Sequence, residues 1–405
     1  MRQGGLFLCI WLLSSWSVLG VNQHTTPSNI DDNVLRVLVN SRTTVTTIAE
    51  HFGVSRSTVY RRMDVLGLAT NRYVNENVDD MTLVKAILDI CLSMVYVGTK
   101  WLRDELWARG LRVAFDRIRR FRKMLFPELS RLNQRRPVAR RTYKVAGPMS
   151  LWHVDGHHKL IRWKFVILGA IDGFTRLTTM LKVSTNNRAR TAFDAFVGAI
   201  REWGVPSRVR TDHGSENVLI AELMVFLRGP GRSSHIAGKS THNQRIERLW
   251  QDTWRVLVCG WYTLFHAMEL SGVLDVDNEI HLYALHFVYL PRIQESLDRF
   301  VTVWNSHVLT TTGLAPIASY HMHDHAGPED DEEFFQSGHG PDWVLDRHRN
   351  QTDRVRVPQV DPPLDETELR ALSLINPVEE DGARGVPTFR IVVDLICRIV
   401  GERAS

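Results

Sequence analysis

Cysteine is scarce in this chain, and the four present, Cys9, Cys91, Cys259 and Cys397, are scattered without a Cys-x-x-Cys pair. That spacing excludes a disulfide framework and a cysteine-based zinc site. A long apolar run is lacking as well. The run near the start, Leu6 to Leu13, follows Arg2 and ends in Val18-Leu19-Gly20. It is too short to span a bilayer comfortably and has the form of a secretory signal peptide over residues 1–20, so no membrane partner is expected. A large net charge is missing too, since 50 Lys and Arg oppose 45 Asp and Glu for a balance of +5. What is present is apolar content, 44% of 405 residues. That excludes a disordered polymer and allows two or three domains.

The charge is uneven. Residues 101–146 hold 14 Lys and Arg against 4 Asp and Glu, whereas Asp324 to Glu333 holds six acids. A basic block of this kind points to a polyanionic partner through long-range attraction to phosphate. Within 30–70 the spacing predicts a helix-turn-helix. A short helix ends at Gly53, Ser55 caps the next, and Val59, Met63 and Leu66 give that second helix a buried stripe. Its other face presents Arg56, Ser57, Tyr60 and Arg61, side chains able to reach phosphates or base edges in a major groove. Residues 80–130 repeat the theme with helices over Leu83–Met94, Gly98–Arg109 and Val113–Met124. The last carries Arg117, Arg119, Arg120, Arg122 and Lys123, and we read it as a second DNA-binding unit whose contacts are to phosphate. An extended basic linker is expected over 131–146.

From Gly147 the pattern changes. Leu151–Leu160, Trp163–Ile171 and Thr178–Val183 read as strands, with Asp172-Gly173 in a turn. Ala189 to Ile200 has helical spacing that stops at Gly204 and Pro206, and Arg208–Thr211 is a short strand. Strand-strand-strand-helix-strand-helix over 147–320 is the order of an α/β ribonuclease-H-like core, here preceded by all-α helix-turn-helix units. Two apolar helices are expected near 279–290 and 292–306, separated by Pro291. The segment 324–405 reads as an acidic linker and tail in which Val386–Val400 adds a small β element. His321, His323, Asp324 and His325 read as a solvated cluster, and Asn350-Gln-Thr352 as a chance glycosylation triplet.

Three acids stand out against this frame. Asp155 sits on the opening strand in Leu151-Trp-His-Val-Asp155, and Asp212 at the end of Arg208-Val-Arg-Thr211. Glu247 starts a helix in Ser240-Thr-His-Asn-Gln-Arg-Ile-Glu-Arg-Leu-Trp250. Phosphodiester exchange needs an activated oxygen nucleophile and a neutralised pentacovalent centre, which two Mg²⁺ or Mn²⁺ ions supply. Such hard ions take oxygen ligands. Asp155 would bridge them, Asp212 completing one site and Glu247 the other. Asn243, Gln244 and Arg248 are candidate contacts to a DNA end. His153, His157, His213 and Glu216 read as structural or solvent-facing neighbours, and Ile246, Leu249, Trp250 and Leu257 as the core face of the Glu247 helix.

These segments together, with Ile171-Asp-Gly-Phe-Thr-Arg176, resemble the animal integrase core domain-containing proteins, related to retroviral integrases and bacterial insertion-sequence transposases. The resemblance covers roughly residues 80–320. It implies DNA integration or transposition, metal binding by Asp155, Asp212 and Glu247, and a homo-oligomer that joins two DNA ends. The zinc domain that precedes retroviral cores is absent. The function implies a nuclear location, in conflict with the signal-like start. A DNA-binding protein that keeps the fold without catalysis, and an exported protein, are the alternatives left open.

Overall fold

The computed structural model describes residues 30–68, 78–94, 97–127, 145–238, 243–325, 357, 358, 360 and 363–404. The signal-like segment, most of the basic linker and acidic stretch, and the Asn350 triplet lie outside them. The described chain divides into two compact units, residues 30–39 with 43–68, and 40–42 with the remainder.

The first unit has three helices, α1 (Asp32–Asn40), α2 (Val45–Phe52) and α3 (Arg56–Val65). Thr44 caps α2 through the Thr47 amide, and Gly53 ends it at φ 63°, a left-handed conformation that costs glycine least. Ser55 then caps α3 through the Thr58 amide. Val59, Met63, Leu35, Leu38 and Ile48 are buried, and Leu66 is half-buried. Arg62 fastens α3 to α1 with paired bonds of 2.7 and 2.6 Å to Asp32. This is the expected helix-turn-helix, with Arg56, Ser57, Tyr60 and Arg61 exposed.

The second unit begins with α4 (Asp80–Ser93), α5 (Thr99–Ala108) and α6 (Phe115–Leu125). A five-stranded sheet follows: β1 (Leu151–His157), β2 (Val166–Asp172), β3 (Thr178–Ser184), β4 (Arg208–Thr211) and β5 (His235–Ala237). Its order is β3-β2-β1-β4-β5, antiparallel among the first three and parallel from β1 outward. This is the ribonuclease-H-like arrangement that the strand order predicts. Between β3 and β4 runs α7 (Ala189–Trp203), and between β4 and β5 runs α8 (Val218–Arg228).

Strand alternation sorts side chains to two cores. Trp152, Val154, Val166, Leu168 and Ala170 pack with Phe196, Ile200, Ile220 and Met224 of α7 and α8. Phe165, Ile167, Ile171 and Leu181 face the opposite side, toward the long C-terminal helices. There α9 (Gln244–Thr253) passes through a π-helical turn at Trp254–Val258 into α10 (Cys259–Leu270). After it come α11 (Glu279–Ser306), α12 (Pro316–Met322), α13 (Glu366–Leu372) and α14 (Val386–Ala404).

Two expectations need correction here. Pro291 does not divide two helices, because α11 runs through it. Proline costs a helix interior roughly 3 kcal/mol, but Leu285, Val288, Tyr289, Ile293 and Leu297, on both sides of it, are fully buried in the same core. Val386–Val400 is helix, not β: Phe389, Val392 and Ile396 recur at helical spacing and are fully buried. Its β-branched residues read as strand only until a partner helix is available.

α11 also completes the sheet's edge. The Asn305 amide accepts from the Thr178 N–H at 2.9 Å and donates to the Thr178 carbonyl at 3.1 Å. Gln294 does the same along β3, accepting from the Val183 N–H and donating to the Leu181 carbonyl. Side-chain amides thus occupy edge groups that another strand would otherwise take. The same helix holds the helical segment before the sheet, since Trp101 of α5 stacks on Phe300 with centroids 5.0 Å apart and His307 bonds Asp104.

Candidate active site

β1 and β4 run parallel side by side, so the end of β4 opens next to the residues following the β1–β4 pairing. Asp155 follows that paired stretch on β1, and Asp212 is the first residue after β4. Both are half-buried, as is Glu247 in the first turn of α9. A carboxylate in a first turn also meets the positive end of the helix dipole.

Each acid is oriented by a neighbour. The Trp250 indole Nε1–H donates to Asp155 Oδ2 at 2.9 Å. Asp212 Oδ1 accepts from the Gly214 N–H at 3.0 Å and from Asn217 Nδ2 at 2.9 Å. Glu247 is set by the entry of α9, where Asn243 is buried and its side chain leaves the helix to cross to β1. Asn243 Nδ2 donates to the Val154 carbonyl at 3.0 Å, and Asn243 Oδ1 lies 2.6 Å from His153 Nδ1. With the amide so turned, His153 carries its proton on Nδ1 and donates it.

Gly169 makes this packing possible. It stands opposite Asp155 in the β1–β2 register, and a Cβ there would lie 2.5 Å from the Trp250 ring. His157 packs on the same ring, with its centroid 5.0 Å from that of Trp250.

Burial and mutual repulsion act on the acids together. Asp155 is pushed up to about 7, first by burial and then by the charges of Asp212 and Glu247, with the Trp250 N–H opposing. Glu247 is raised by burial and by Asp212, and Glu216 is raised for the same two reasons. The surrounding imidazoles are driven the other way. Burial holds His153 at about 3 and His157 at about 4, and it lowers His158 while Asp212 opposes. The site is therefore a partly dehydrated acidic corner lined by neutral rings. An all-oxygen donor set crowded against itself suits a hard divalent cation. The three acids interact through their fields, for among the described residues no three His, Cys, Asp or Glu side chains form a group that could hold a metal ion.

The other sequence candidates divide into two sets. Gln244 is exposed beside the acids. Asn243, expected at a DNA end, is instead an internal strap, buried because its amide has two partners on β1. Arg248 pairs with Asp252 at 2.8 Å, one turn along α9. On α6, Arg120 and Lys123 are exposed as expected. Arg117 is committed to Asp80 and to the Val78 carbonyl, and Arg122 is buried against the Val97 carbonyl and Thr99. Asp172 does more than shape a turn: fully buried, it accepts from the Phe174, Thr175 and Met149 amides. His323 and His325 bond the carbonyls of Ser319 and Tyr320. Trp250, Asn217 and Gly169 escaped the sequence reading in these roles. The one available signal was an indole three residues after Glu247, which fits a core position equally well.

Residues 142–323 match the integrase core domain family, and residues 27–63 match the helix-turn-helix domain of resolvase. No curated protein matches the chain. Among solved structures, the HTLV-2 integrase catalytic core domain in complex with magnesium, in its trimeric form, is 16% identical. The match covers 44% of this chain and 100% of that one with a TM-score of 0.30. The simian T-cell lymphotropic virus intasome in complex with PP2A regulatory subunit B56 gamma is 14% identical over 61% of this chain and 76% of that one, TM-score 0.32.

Proposed function

We propose that this integrase-core chain cuts and rejoins DNA strands, with Asp155, Asp212 and Glu247 as its reactive centre. The observation that carries the reading is that β1, the end of β4 and the start of α9 each bring a carboxylate to one corner, where the charges of Asp212 and Glu247 raise Asp155 and that of Asp212 raises Glu247. Proteins seldom keep such a destabilising arrangement without a use for it. The match to the integrase core domain supports DNA as the substrate.

Asp155, Asp212 and Glu247 would hold one or two Mg²⁺ or Mn²⁺ ions, which when bound activate the attacking oxygen and neutralise charge on the phosphate. The protein's own part is positional. Trp250 turns the Asp155 carboxylate, Asn217 and the Gly214 amide turn that of Asp212, and Asn243 fixes where α9 begins and hence where Glu247 stands. The helix-turn-helix supplies Arg56, Tyr60 and Arg61 for duplex binding. Arg120 and Lys123 add phosphate contacts, and Gln244 lies where a strand approaching the acids would pass. Joining two DNA ends calls for more than one copy, so a homo-oligomer on DNA in the nucleus belongs to this reading. Among the described residues no helix is long and apolar enough to cross a membrane.

The test is nicking and strand transfer on labelled DNA with Mg²⁺ or Mn²⁺, comparing wild type with Glu247→Gln. The variant keeps shape and hydrogen bonding but loses one charge. We expect activity to fall at least about 100-fold, a size usual for loss of a group that stabilises charge in the transition state, with DNA affinity retained. If both proteins bind and neither cuts, the chain is a silent nucleic-acid-binding relative.

A further inference from the structure

The strand that ends beside Asp212 is gripped by a side chain from the sheet's edge. Thr211, the last residue of β4, is buried, and its hydroxyl donates to the Asp212 carbonyl at 2.7 Å. The same Oγ1 lies 3.0 Å from Nε2 of His235, the half-buried first residue of β5, 24 positions along the chain. Parallel pairing with β4 brings β5 there, with Val209 opposite His235 and Thr211 opposite Ala237. The start of β5 is itself tied down. The Val209 N–H donates to the Ser234 carbonyl at 3.0 Å, and the Ser234 hydroxyl donates to the Gly229 carbonyl at 2.8 Å.

Proton counting gives these bonds their directions. A hydroxyl has one proton and a carbonyl can only accept, so the Thr211 proton goes to Asp212. Its oxygen is left as the acceptor toward His235, and Nε2 must carry a hydrogen. Burial, with the charge of His213 adding to it, holds His235 at about 4. The ring is therefore neutral near pH 7, with its single proton on Nε2. The result is a directed chain of hydrogen bonds from His235 through Thr211 to Asp212, and its middle member is shut off from water.

Asp212 is thus held at two points for two different purposes. Its Oδ1 accepts from the Gly214 N–H and from Asn217 Nδ2, while Oδ2 has no hydrogen bond among the described residues. Gly214 and Asn217 lie in the turn that Asp212 opens, so they fix the carboxylate relative to that turn. Thr211 and His235 belong to paired strands, so they fix the turn relative to the sheet. Because β4 also pairs with β1, the strand of Asp155, that second attachment governs how the two carboxylates stand to each other.

We infer that His235 is a positioning residue of the acidic corner: acting through Thr211, it sets where the Asp212 carboxylate stands relative to β1 and so raises the affinity of the corner for a divalent cation. The inference rests on the reading of Asp212 as a metal-binding acid. Partners one step removed from a metal ligand are commonly worth roughly 10–100-fold in metal affinity or activity.

The experiment titrates Mn²⁺ into the full chain and counts the free ion by electron paramagnetic resonance. It compares wild type with His235→Leu and His235→Gln, and the urea midpoint of each protein is measured alongside. A glutamine amide places a donor nitrogen near the position of Nε2, whereas leucine fills the space without a donor. We expect His235→Leu to weaken Mn²⁺ binding about tenfold and His235→Gln to restore most of the loss, although the two variants unfold at similar urea concentrations. Thr211→Val, close to threonine in shape, removes the middle hydroxyl and should reproduce the leucine result. Equal Mn²⁺ affinity in the two His235 variants, or affinity that merely follows the urea midpoint, overturns the inference, as does a wild type without a saturable Mn²⁺ site. Nicking of labelled DNA by the same proteins separates this inference from the proposed function. Absence of cutting by wild type, with the Mn²⁺ differences intact, would sink the proposed function alone, and cutting that His235→Leu leaves unchanged would sink the inference alone.

Discussion

At the scale of single residues, the acids are costly to the fold. Asp155 has a folded pKa of about 7 against an ordinary value of 3.8. A group raised in this way contributes stability below its unfolded pKa and loses that contribution as pH rises through the folded value. At pH 8 the ionised, crowded carboxylate therefore works against folding. Asp155→Asn removes the charge and keeps an oxygen for the Trp250 N–H. Its unfolding free energy in urea, measured at pH 8 in chelator, should exceed that of wild type by about 1–4 kcal/mol, the upper end being three pKa units at 1.36 kcal/mol each. The gain should vanish as pH falls to about 3, where the carboxyl is protonated in the folded and the unfolded chain alike, and DNA cleavage should be lost at every pH. A variant less stable than wild type at pH 8 would show that Asp155 is compensated by a partner.

At the scale of elements, the site depends on three pieces meeting: β1, β2 and α9. Their contact is closest at Gly169, where a methyl group would sit 2.5 Å from the Trp250 ring. That ring is anchored by Asp155 and by His157, so it cannot swing away as a flexible chain end would. Gly169→Ala should cost about 1–3 kcal/mol, the usual range for overpacking. It should also displace Trp250 from Asp155, reducing strand cutting about tenfold or more while duplex binding by the helix-turn-helix persists. A shift in tryptophan emission with unchanged gel-shift affinity would report this, and an unchanged spectrum would count against it.

The same contacts explain what could be read from the chain and what could not. The positions of Asp155 on a strand, Asp212 just after one and Glu247 in a helix's first turn were legible, because strands and helix starts carry local signals. Gly53 and Ser55 marked the helix-turn-helix for the same reason. Asn243, Trp250 and Gly169 have their roles only through partners 81 to 95 positions distant, and a lone amide, indole or glycine fits many settings. Pro291 and Val386–Val400 misled because local propensity favours a break and a strand there, whereas burial against α10 and α11 favours helix. The uneven use of the basic residues on α6 was hidden as well: Arg117 and Arg122 turn inward through partners contributed by other parts of the helical segment.

At the scale of the whole molecule, stability rests on the core shared by the sheet and the C-terminal helices, and that core encloses a titratable group far from the acids. His286 of α11 is buried against Phe165, with Nε2 bonded to the Trp163 carbonyl at 2.9 Å. Burial, aided by Lys164, lowers its pKa to about 4 while the carbonyl opposes. The neutral ring is thus built into the fold, and the unfolded chain takes up a proton near 6.5 that the native state refuses until about 4. With the folded value depressed, the contribution is intact above 6.5 and is lost as pH falls from there to about 4, a total of roughly 3 kcal/mol for 2.5 units. Between pH 7 and 5 it amounts to about 2 kcal/mol. His286→Leu eliminates the titration, so whatever its stability at pH 7, its urea midpoint should fall less than that of wild type on going to pH 5, by the equivalent of that amount. Parallel pH profiles for the two proteins would mean that His286 reaches solvent or a compensating acid, and the acid sensitivity of the fold would then have to originate elsewhere.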